Sequence, residues 1–417
     1  MSEAGEIEAT SARYLRDRYA IVGVGETPYL RGAGRTTRAL ATCAIRNALA
    51  DAGLAPGEVD GMLSYSLMDA AQCPVVASDL GIRLDFHMDV WGGGSSTEAL
   101  VGIAQGVIEA GMCRTVVIYR AMNGYSGLRM GGTGWDDAPI AGDELHWRPY
   151  GWSSPAQWFA PVFMRHMHEH GTRPEQAALV KVAHSEHAAN NPKALYRNRV
   201  TVEDVLASRW IVKPLHLLDC CVETDNAAAL IVTSAERARD LRQPPVLIRA
   251  VAGRVCKPRP DMHFQVGPTT EVAGRYARDI LWPNAGVGPE EIDLTGSYDA
   301  FTFTSLLQFE AYGFCKAGAG GQYVSDGTIR LGGRRPNNTS GGHLCEGYTH
   351  GISMVIENVR QLRHDADDSC PFGPDGRRVH SYDYREGGCR QVKDAELAAN
   401  LGWGTPWTGS ALVLRRG

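Results

Sequence analysis

Histidine is the side chain best suited to metal binding or proton transfer near neutral pH, and several of this chain's histidines are clustered. In Arg165-His166-Met167-His168-Glu169-His170, His166 and His170 stand four apart. On a helix that spacing puts both rings on one face, as in many zinc pairs. No third ligand lies nearby and the segment lacks the glutamate of an H-E-x-x-H site, so surface or loop histidines are expected. The same holds for His184 and His187. In NNTSGGHLCEGYTHG (337–351), His343 and His350 stand close on either side of Tyr348. Either imidazole could relay or tune a phenol's proton, or simply pack. A second phenol, Tyr298, sits in SYDAFT (297–302) at an expected strand end, where tyrosine ordinarily packs. With an ordinary pKa of about 10, a phenol is a poor base at neutral pH but a competent proton donor and shuttle. The run Gly92-Gly93-Gly94-Ser95-Ser96 offers two hydroxyls ahead of a helix. No histidine stands in a recognisable partner motif, so these serines are expected to cap the helix and not to act as nucleophiles.

The elements that must hold these residues follow an α/β grammar. Tyr19–Gly25 is a short buried strand, and Thr37–Ala52 is a helix stopped by Gly53. Strands follow at Gly61–Ser66 and Phe86–Val90, then a long helix through Ala110. Thr115–Tyr119 is apolar almost throughout, as expected of a strand covered on both faces. From about Asn123 to Ser208 the pattern breaks into a Gly-, Trp-, Pro- and His-rich stretch, with helical patches near Pro155–Gly171 and Glu175–Asn190. This reads as an insertion capping one face of the sheet. Its Trp135, Trp147, Tyr150, Trp152, Trp158 and Phe159 suit an apolar substrate wall or internal packing equally well.

Regular structure resumes at Ala227–Thr233, and after Gln243-Pro244-Pro245 the grammar repeats. It predicts a strand at Val246–Val251, a helix at Thr269–Leu281 and a segment Ile292–Gly296 leading to a second glycine-flanked turn. A helix at Phe301–Gly313, a strand at Thr328–Leu331, a helix at Gly347–Leu362 and paired strands at Leu397–Gly402 and Ala411–Arg415 complete it. The expected organisation is a tail (1–17), an N-terminal half (18–122 and 209–240), the insertion (123–208) and a C-terminal half (241–417) that duplicates the first.

Bulk properties narrow the function classes. Hydrophobic residues are 44% and charged residues 21% of 417, and the formal net charge is −5 with scattered basic residues, which argues against a nucleic-acid surface. No apolar run approaches the roughly 18–20 residues needed to cross a bilayer, and the N-terminus has no signal-peptide core, so a cytosolic protein is expected. Ten cysteines without C-x-x-C spacing read as buried free thiols rather than a disulfide frame or a zinc site.

Several stretches together resemble thiolases of the sterol-carrier type. Val212-Lys213-Pro214-Leu215, Leu218-Asp219-Cys220 and Thr224-Asp225-Asn226-Ala227-Ala228-Ala229 are similar to the family's PL…DC…DGAAA signature. Asn191-Pro192-Lys193-Ala194, Thr201-Val202-Glu203-Asp204 and Ser208-Arg209 are similar to its NP…R…T-x-E-D…SR segment. The resemblance implies a thiolase fold, a duplicated α/β/α/β/α layered core with an inserted loop domain.

It also implies where the catalytic groups belong, and the departures there are systematic. Gly93 stands where the family has its nucleophilic cysteine. Tyr348 replaces the histidine of G-G-x-x-x-x-G-H-P, and Tyr298 replaces that of H-D-C-F. Gly402-Trp403-Gly404 fills the place of the late acid/base cysteine. Without a nucleophile no acyl group can be carried covalently, so thiolysis is excluded.

Tyrosines at these two positions are similar to those of the thiolase-like aldolases of bacterial steroid side-chain degradation. That resemblance implies retro-aldol cleavage of a steroid side-chain β-hydroxyacyl-CoA to a steroidal ketone or aldehyde plus propionyl-CoA or acetyl-CoA. Tyr298 and Tyr348 would be catalytic, with Tyr348 preferred as base. Gly93, Gly94, Gly404, His343 and His350 would line the oxyanion and substrate pocket, and Arg209 and Lys213 are candidates to hold CoA. No cofactor beyond the substrate's coenzyme A and no metal is expected. Expected partners are a second copy in a homodimer and a small OB-fold subunit, forming a heterotetramer. The rival reading is a non-catalytic acyl-CoA- or lipid-binding scaffold. An acyltransferase using Ser95 or Ser96 is a third.

Overall fold

The protein is described from a computed structural model, which covers residues 15–127, 129, 145–257, 268, 270–367, 370–374, 378–405 and 407–417. The expected tail through residue 14 and Trp135 lie outside these residues. The first half runs β1 (Tyr19–Glu26), α1 (Thr37–Ala52), β2 (Gly61–Ser66), α2 (Cys73–Leu80), β3 (Phe86–Trp91), α3 (Thr97–Glu109) and β4 (Thr115–Asn123). Helices α4 (Pro155–His170), α5 (Pro174–Ala189) and α6 (Val202–Ala207) come next. A small hairpin, β5 (Trp210–Val212) and β6 (Leu215–His216), leads to β7 (Asp225–Ser234) and the short α7 (Ala235–Ala238).

The second half comprises β8 (Val246–Cys256), α8 (Gly274–Ala285), β9 (Leu294–Ser297), α9 (Thr302–Ala311) and α10 (Gly320–Ser325). It continues with α11 (Gly342–Cys345), α12 (Ile352–Leu362), β10 (Leu397–Thr405) and β11 (Thr408–Arg416).

Nine strands form one sheet in the order β3-β2-β4-β7-β1-β8-β11-β10-β9. Each half repeats one scheme. β2 runs parallel to β4, which is antiparallel to β7, and β7 is antiparallel to β1. Likewise β9 runs parallel to β10, which is antiparallel to β11, and β11 is antiparallel to β8. The halves meet through the antiparallel contact of β1 with β8. On β9 the counterpart of β3 is reduced to a single parallel bridge, Thr295 to Asn337. The matched pairing supports the duplication that the weak similarity of the two halves could only suggest.

Burial sorts the strands' alternate residues into layers. On β4, Val116 and Ile118 face one core while Val117, Tyr119 and Ala121 face another. The second core belongs to α1 and α2, through Leu40, Ala44, Ile45 and Val76. The first is shared by both halves: α3 and α12 fill it against Ile21 and Leu230 on one side and Ile248 and Leu412 on the other. The opposite face of the second half, with Ala399, Leu401 and Val413, is covered by residues of α8, α9, α4 and α5. The sequence of layers is therefore α/β/α/β/α, and the central strands such as β4 and β7 are largely apolar because both of their faces are covered. Alanine-rich α1 lies unusually close to β1. A Cβ on Gly25 would overlap the α1 backbone at Ala44 and Ala48, so that strand needs glycine there.

Three sequence expectations shift. The segment expected as a strand at 328–331 is turn, with its polar backbone partly satisfied by Arg335 N–H to Thr328 O (2.9 Å) and Asn337 N–H to Ile329 O (2.9 Å). The helix expected from residue 269 begins at Gly274 and runs through Pro283 to Ala285, where Gly286 ends it in the left-handed region at φ 66°. Helix α12 starts at Ile352 instead of Gly347. His350 and Gly351, at φ 55° and 97°, are left-handed and cannot continue a helix, so residues 347–351 form a turn that presents Tyr348.

Helix α12 places Ile352, Val355, Ile356, Val359 and Leu362 along one buried stripe. Its polar face is buried too, where Glu357 pairs with Arg390 (Oε2–Nη2 3.0 Å) and accepts from Thr339 Oγ1 (2.7 Å) and Gln361 Nε2 (3.0 Å). Burial alone would raise this carboxyl, but the Arg390 charge and the hydrogen bonds overcome it and hold its pKa down at about 2. Because that pKa lies below the unfolded value of about 4.3, the pair's stabilisation is complete above that value and declines as pH falls toward the folded one. Glu357→Gln should cost about 3–5 kcal/mol at neutral pH. Denaturation measured across acid pH should find the gap from wild type narrowing below about pH 4.5; a gap constant with pH would refute the ion-pair account.

Candidate active site

Strand β9 ends at Ser297, and Tyr298 follows at the carboxyl edge of the sheet, where the main chain turns toward α9. Its backbone is fixed by Gln308, whose Oε1 accepts from Tyr298 N–H (3.0 Å) and whose Nε2 donates to Tyr298 O (2.9 Å). Tyr348 is held from the first half of the molecule. Thr224 Oγ1 accepts from Tyr348 N–H (3.0 Å), and Asn226 Nδ2 donates to Tyr348 O (2.9 Å). The two phenol oxygens are 2.6 Å apart, a direct hydrogen bond, and both side chains are buried.

Two histidines flank the pair and do different things. The His343 ring lies edge-on to both tyrosines at 4.8 Å, and its Nε2 accepts from Gly351 N–H (3.2 Å). It therefore braces the Tyr348 turn. His350 sits 4.9 Å from the Tyr348 ring, and its Nδ1 accepts from Arg120 Nε (3.0 Å). A guanidinium cannot accept a hydrogen bond, so neutral His350 carries its proton on Nε2. That atom faces Gly93, lying 3.5 Å from where a Cβ would stand. Gly94 is more constrained: a Cβ there would overlap the Tyr298 ring and the Trp403 carbonyl.

Burial keeps the site uncharged. It raises the Tyr298 phenol far above the ordinary value, helped by the neighbouring Tyr348. Tyr348 is also raised, first by burial and then by Cys221, while the Tyr298 hydroxyl and the Arg120 charge act in the opposite sense. His350 is pushed far below the usual imidazole range by burial, Arg120 and His343. His343 falls to about 4, burial outweighing the pull of Asp299. At neutral pH the site thus holds two protonated phenols and two neutral imidazoles.

Of the residues singled out from the sequence, Tyr298, Tyr348, His343, His350, Gly93 and Gly94 converge here. Gly404 lies one step away, packed on Ser95 and Thr408. Arg209 and Lys213 are exposed on the β5–β6 hairpin, with Lys213 Nζ over the Trp210 ring at 5.6 Å, and no described contact joins them to the tyrosines. The serines are not caps. Ser96 makes no side-chain cap bond to α3, and Ser95 Oγ reaches Thr408 Oγ1 (3.4 Å). In the insertion, Phe159 packs on Phe301 and Trp403 beside the site (5.4 and 5.9 Å), whereas Tyr150 is exposed.

Three histidines expected at the surface are buried instead. His166 Nε2 meets Glu310 (3.0 Å), and His187 Nε2 accepts from Leu331 N–H (3.0 Å). His184 bridges Asp299 (2.8 Å) and Asn337 (3.0 Å). His184 was thus misplaced, and two residues that act through others were not singled out: Asp299, and the buried Arg120, whose Nη2 meets Asp69 Oδ2 (2.6 Å). An arginine inside the otherwise apolar run of β4 was the available signal. A separate cavity lined by Leu15, Arg16, Gly102, Ile103 and Arg249 lies behind α3 and includes neither tyrosine.

Comparison with known proteins shows the family to which the chain is related. Residues 261–372 match a thiolase C-terminal domain-like family. The chain is 41% identical to a 17-hydroxy-3-oxo-4-pregnene-20-carboxyl-CoA lyase of Mycobacterium tuberculosis, over 84% of this chain and 92% of that protein. It is 39% identical to a steroid side-chain-cleaving aldolase of Thermomonospora curvata, over 82% and 90%. Among solved structures, an Ltp2-ChsH2(DUF35) aldolase superposes with a TM-score of 0.84 at 35% identity, covering 96% of this chain and 98% of that one.

The two glycines should respond differently to one methyl group. Gly94→Ala displaces the Tyr298 ring and should cost about 1–3 kcal/mol by overpacking. Gly93→Ala meets only ordinary contact and should stay within about 0.5 kcal/mol of wild type. Equal losses in urea denaturation would contradict the assigned position of the Tyr298 ring.

Proposed function

Since this chain belongs to the thiolase-like steroid side-chain-cleaving aldolases, we propose that Tyr298 and Tyr348 carry its reaction as a proton relay. The protein is a carbon–carbon lyase that cleaves a steroid side-chain β-hydroxyacyl-CoA. The observation that carries the mechanism is the 2.6 Å contact between the two phenols, beside a glycine where thiolases keep their nucleophile.

Neither buried phenol ionises readily, so the relay runs without a stored phenolate. The substrate's β-hydroxyl gives its proton to Tyr348, and Tyr348 passes its own to Tyr298. As the O–H bond breaks, the hydroxyl becomes a carbonyl and the bond between the α and β carbons releases its electron pair as a thioester enolate. In the same concerted shift Tyr298, as it takes the proton from Tyr348, delivers its own to the α carbon of the developing enolate, completing a short acyl-CoA. Protons and electrons balance with the two phenols alone, so the proposed steps use no cofactor beyond the substrate's coenzyme A. His350 Nε2–H, aimed at the space over Gly93, would donate to the thioester oxygen as enolate charge develops.

The substrate named for the mycobacterial relative bears its hydroxyl on a ring carbon, which would give a steroidal ketone and propionyl-CoA. The absent side chain at Gly93 leaves room for such a crowded carbon. Arg209 and Lys213, exposed on the β5–β6 hairpin, are proposed to meet the phosphates of CoA.

The test is cleavage of a steroid β-hydroxyacyl-CoA followed by mass spectrometry, with the partner subunit present. Tyr298→Phe and Tyr348→Phe should each lower turnover by about 10²–10⁴-fold with folding intact. Between roughly pH 6 and 9 wild-type turnover should be nearly flat, because the depressed His350 stays neutral and the raised phenols stay protonated. Undiminished cleavage in both variants would sink the relay, and an acid limb near pH 6.5 would require an imidazole base. Binding without cleavage would favour a scaffold.

Assembly is part of the proposal. Edge strand β3 is exposed and carries Met88 and Trp91 (40% and 69% exposed), with Met68 (91%) nearby. An edge strand left without an outer partner among the described residues suits pairing with a second copy. The aldolase of similar structure names two components, ChsH2(DUF35) beside Ltp2, which supports a partner subunit; a small OB-fold chain completing a heterotetramer is the form proposed for it here. Among the described residues no helix is long and apolar enough to cross a membrane. Light scattering should give a dimer mass for the chain alone that falls to a monomer mass in Trp91→Asp; a wild-type monomer would count against β3 as the interface.

A further inference from the structure

Between α12 and β10 the described residues contain no helix and no long strand, although this stretch supplies Arg390 to the buried Glu357 and Gln391 to Gln361. Long loops without secondary structure are uncommon in compact domains and are usually functional or disordered. Cys370, His380 and Cys389 converge inside it, their ligand atoms all within 4.8 Å of one another. Cys389 Sγ is 3.9 Å from His380 Nδ1. A tetrahedral zinc ion with bonds of about 2.0–2.3 Å sets its ligands roughly 3.5–3.8 Å apart, so the cluster is within about an ångström of closing on an ion.

The surroundings are arranged as they are around metal ligands. His380 Nε2 meets the His364 carbonyl at 2.8 Å. A carbonyl only accepts, so Nε2 carries the proton and the Nδ1 lone pair is left facing the thiols, the orientation a ligating histidine requires. The Gln391 backbone N–H donates to Cys389 Sγ (3.3 Å), fixing that sulfur toward the cluster. Asp367, 5% exposed, is tied to the same turn, its carbonyl accepting from Cys370 N–H (3.3 Å).

We propose that Cys370, His380 and Cys389 form a structural zinc site that fastens the 363–396 segment, with a water in the fourth position. Two thiolates and an imidazole suit zinc and not magnesium or calcium, which take oxygen donors. The site is separate from the tyrosine pair. Its effect on the reaction runs through Arg390, the neighbour of Cys389, which anchors the helix that follows the Tyr348 turn.

The test uses the full chain, untagged and reduced, incubated with zinc, desalted and analysed by elemental mass spectrometry. About one equivalent of zinc should remain bound to wild type, and almost none to Cys370→Ser or Cys389→Ser. Should those variants fail to fold, cobalt titrated into metal-free wild type should produce a thiolate charge-transfer band, abolished by prior alkylation of the thiols. Folded wild type that retains no zinc and shows no such band would overturn the proposal. So would full zinc retention in both folded serine variants, or a native Cys370–Cys389 disulfide.

Discussion

The Asp299 carboxylate, fully out of contact with solvent, joins three segments that are distant in the chain. It takes a hydrogen bond from His184 on α5 (2.8 Å) and from the backbone amides of His343 (2.9 Å) and Leu344 (3.3 Å) at the start of α11. Asp299 follows Tyr298 directly, and the α11 segment leads to Tyr348. One buried anion thereby sets the distance between the two halves of the reacting pair. Charge-assisted bonds of this kind are short and strong away from water, and losing one partner leaves a costly buried charge. Asn338 reinforces the same junction, with Nδ2 donating to Ser297 O (2.9 Å) and Oδ1 accepting from Ser297 N–H (3.0 Å).

The acid–base character of the site follows from that closed construction. Desolvation disfavours every charged form, so phenols rise and imidazoles fall together. A thiolase-type site keeps a reactive anion at a helix start; this one keeps neutral donors in contact. Arg120 is the charge placed nearest to them. It is balanced by Asp69 at 2.6 Å and spends its Nε proton on His350, so the ring must present N–H toward Gly93. One buried arginine, by its inability to accept, determines the tautomer of a histidine.

The duplicated sheet explains why the two tyrosines can meet. Tyr298 leaves the carboxyl end of β9 in the second half, while the turn holding Tyr348 is gripped by Thr224 and Asn226 at the head of β7 in the first. Helices α3 and α12 fill the layer between the halves, and Gly93 and Gly94 precede the first of them as the Tyr348 turn precedes the second. The insertion adds α4 and α5 over the outer face, bringing Phe159 and His184 to the same region.

Much of this was written in local pattern. Strand and helix order, the break at 123–208 and the paired final strands follow from apolar periodicity and glycine stops, which depend only on near neighbours. The motif register put tyrosine at 298 and 348 and glycine at 93, and that alone excluded a covalent thiolase mechanism. Local pattern failed where backbone conformation is imposed from outside. His350 adopts φ 55° because Tyr65 Oη binds its carbonyl (3.0 Å) and Arg120 its ring, so the expected helix from Gly347 became a turn. Nor does spacing show that His184 lies against Asp299, 115 positions away. The 2.6 Å phenol contact, the neutral state of the site and the gathering of Cys370, His380 and Cys389 are likewise tertiary. Residue type can be read along the chain, but desolvation and hydrogen-bond partnership exist only after distant segments have excluded water from one another.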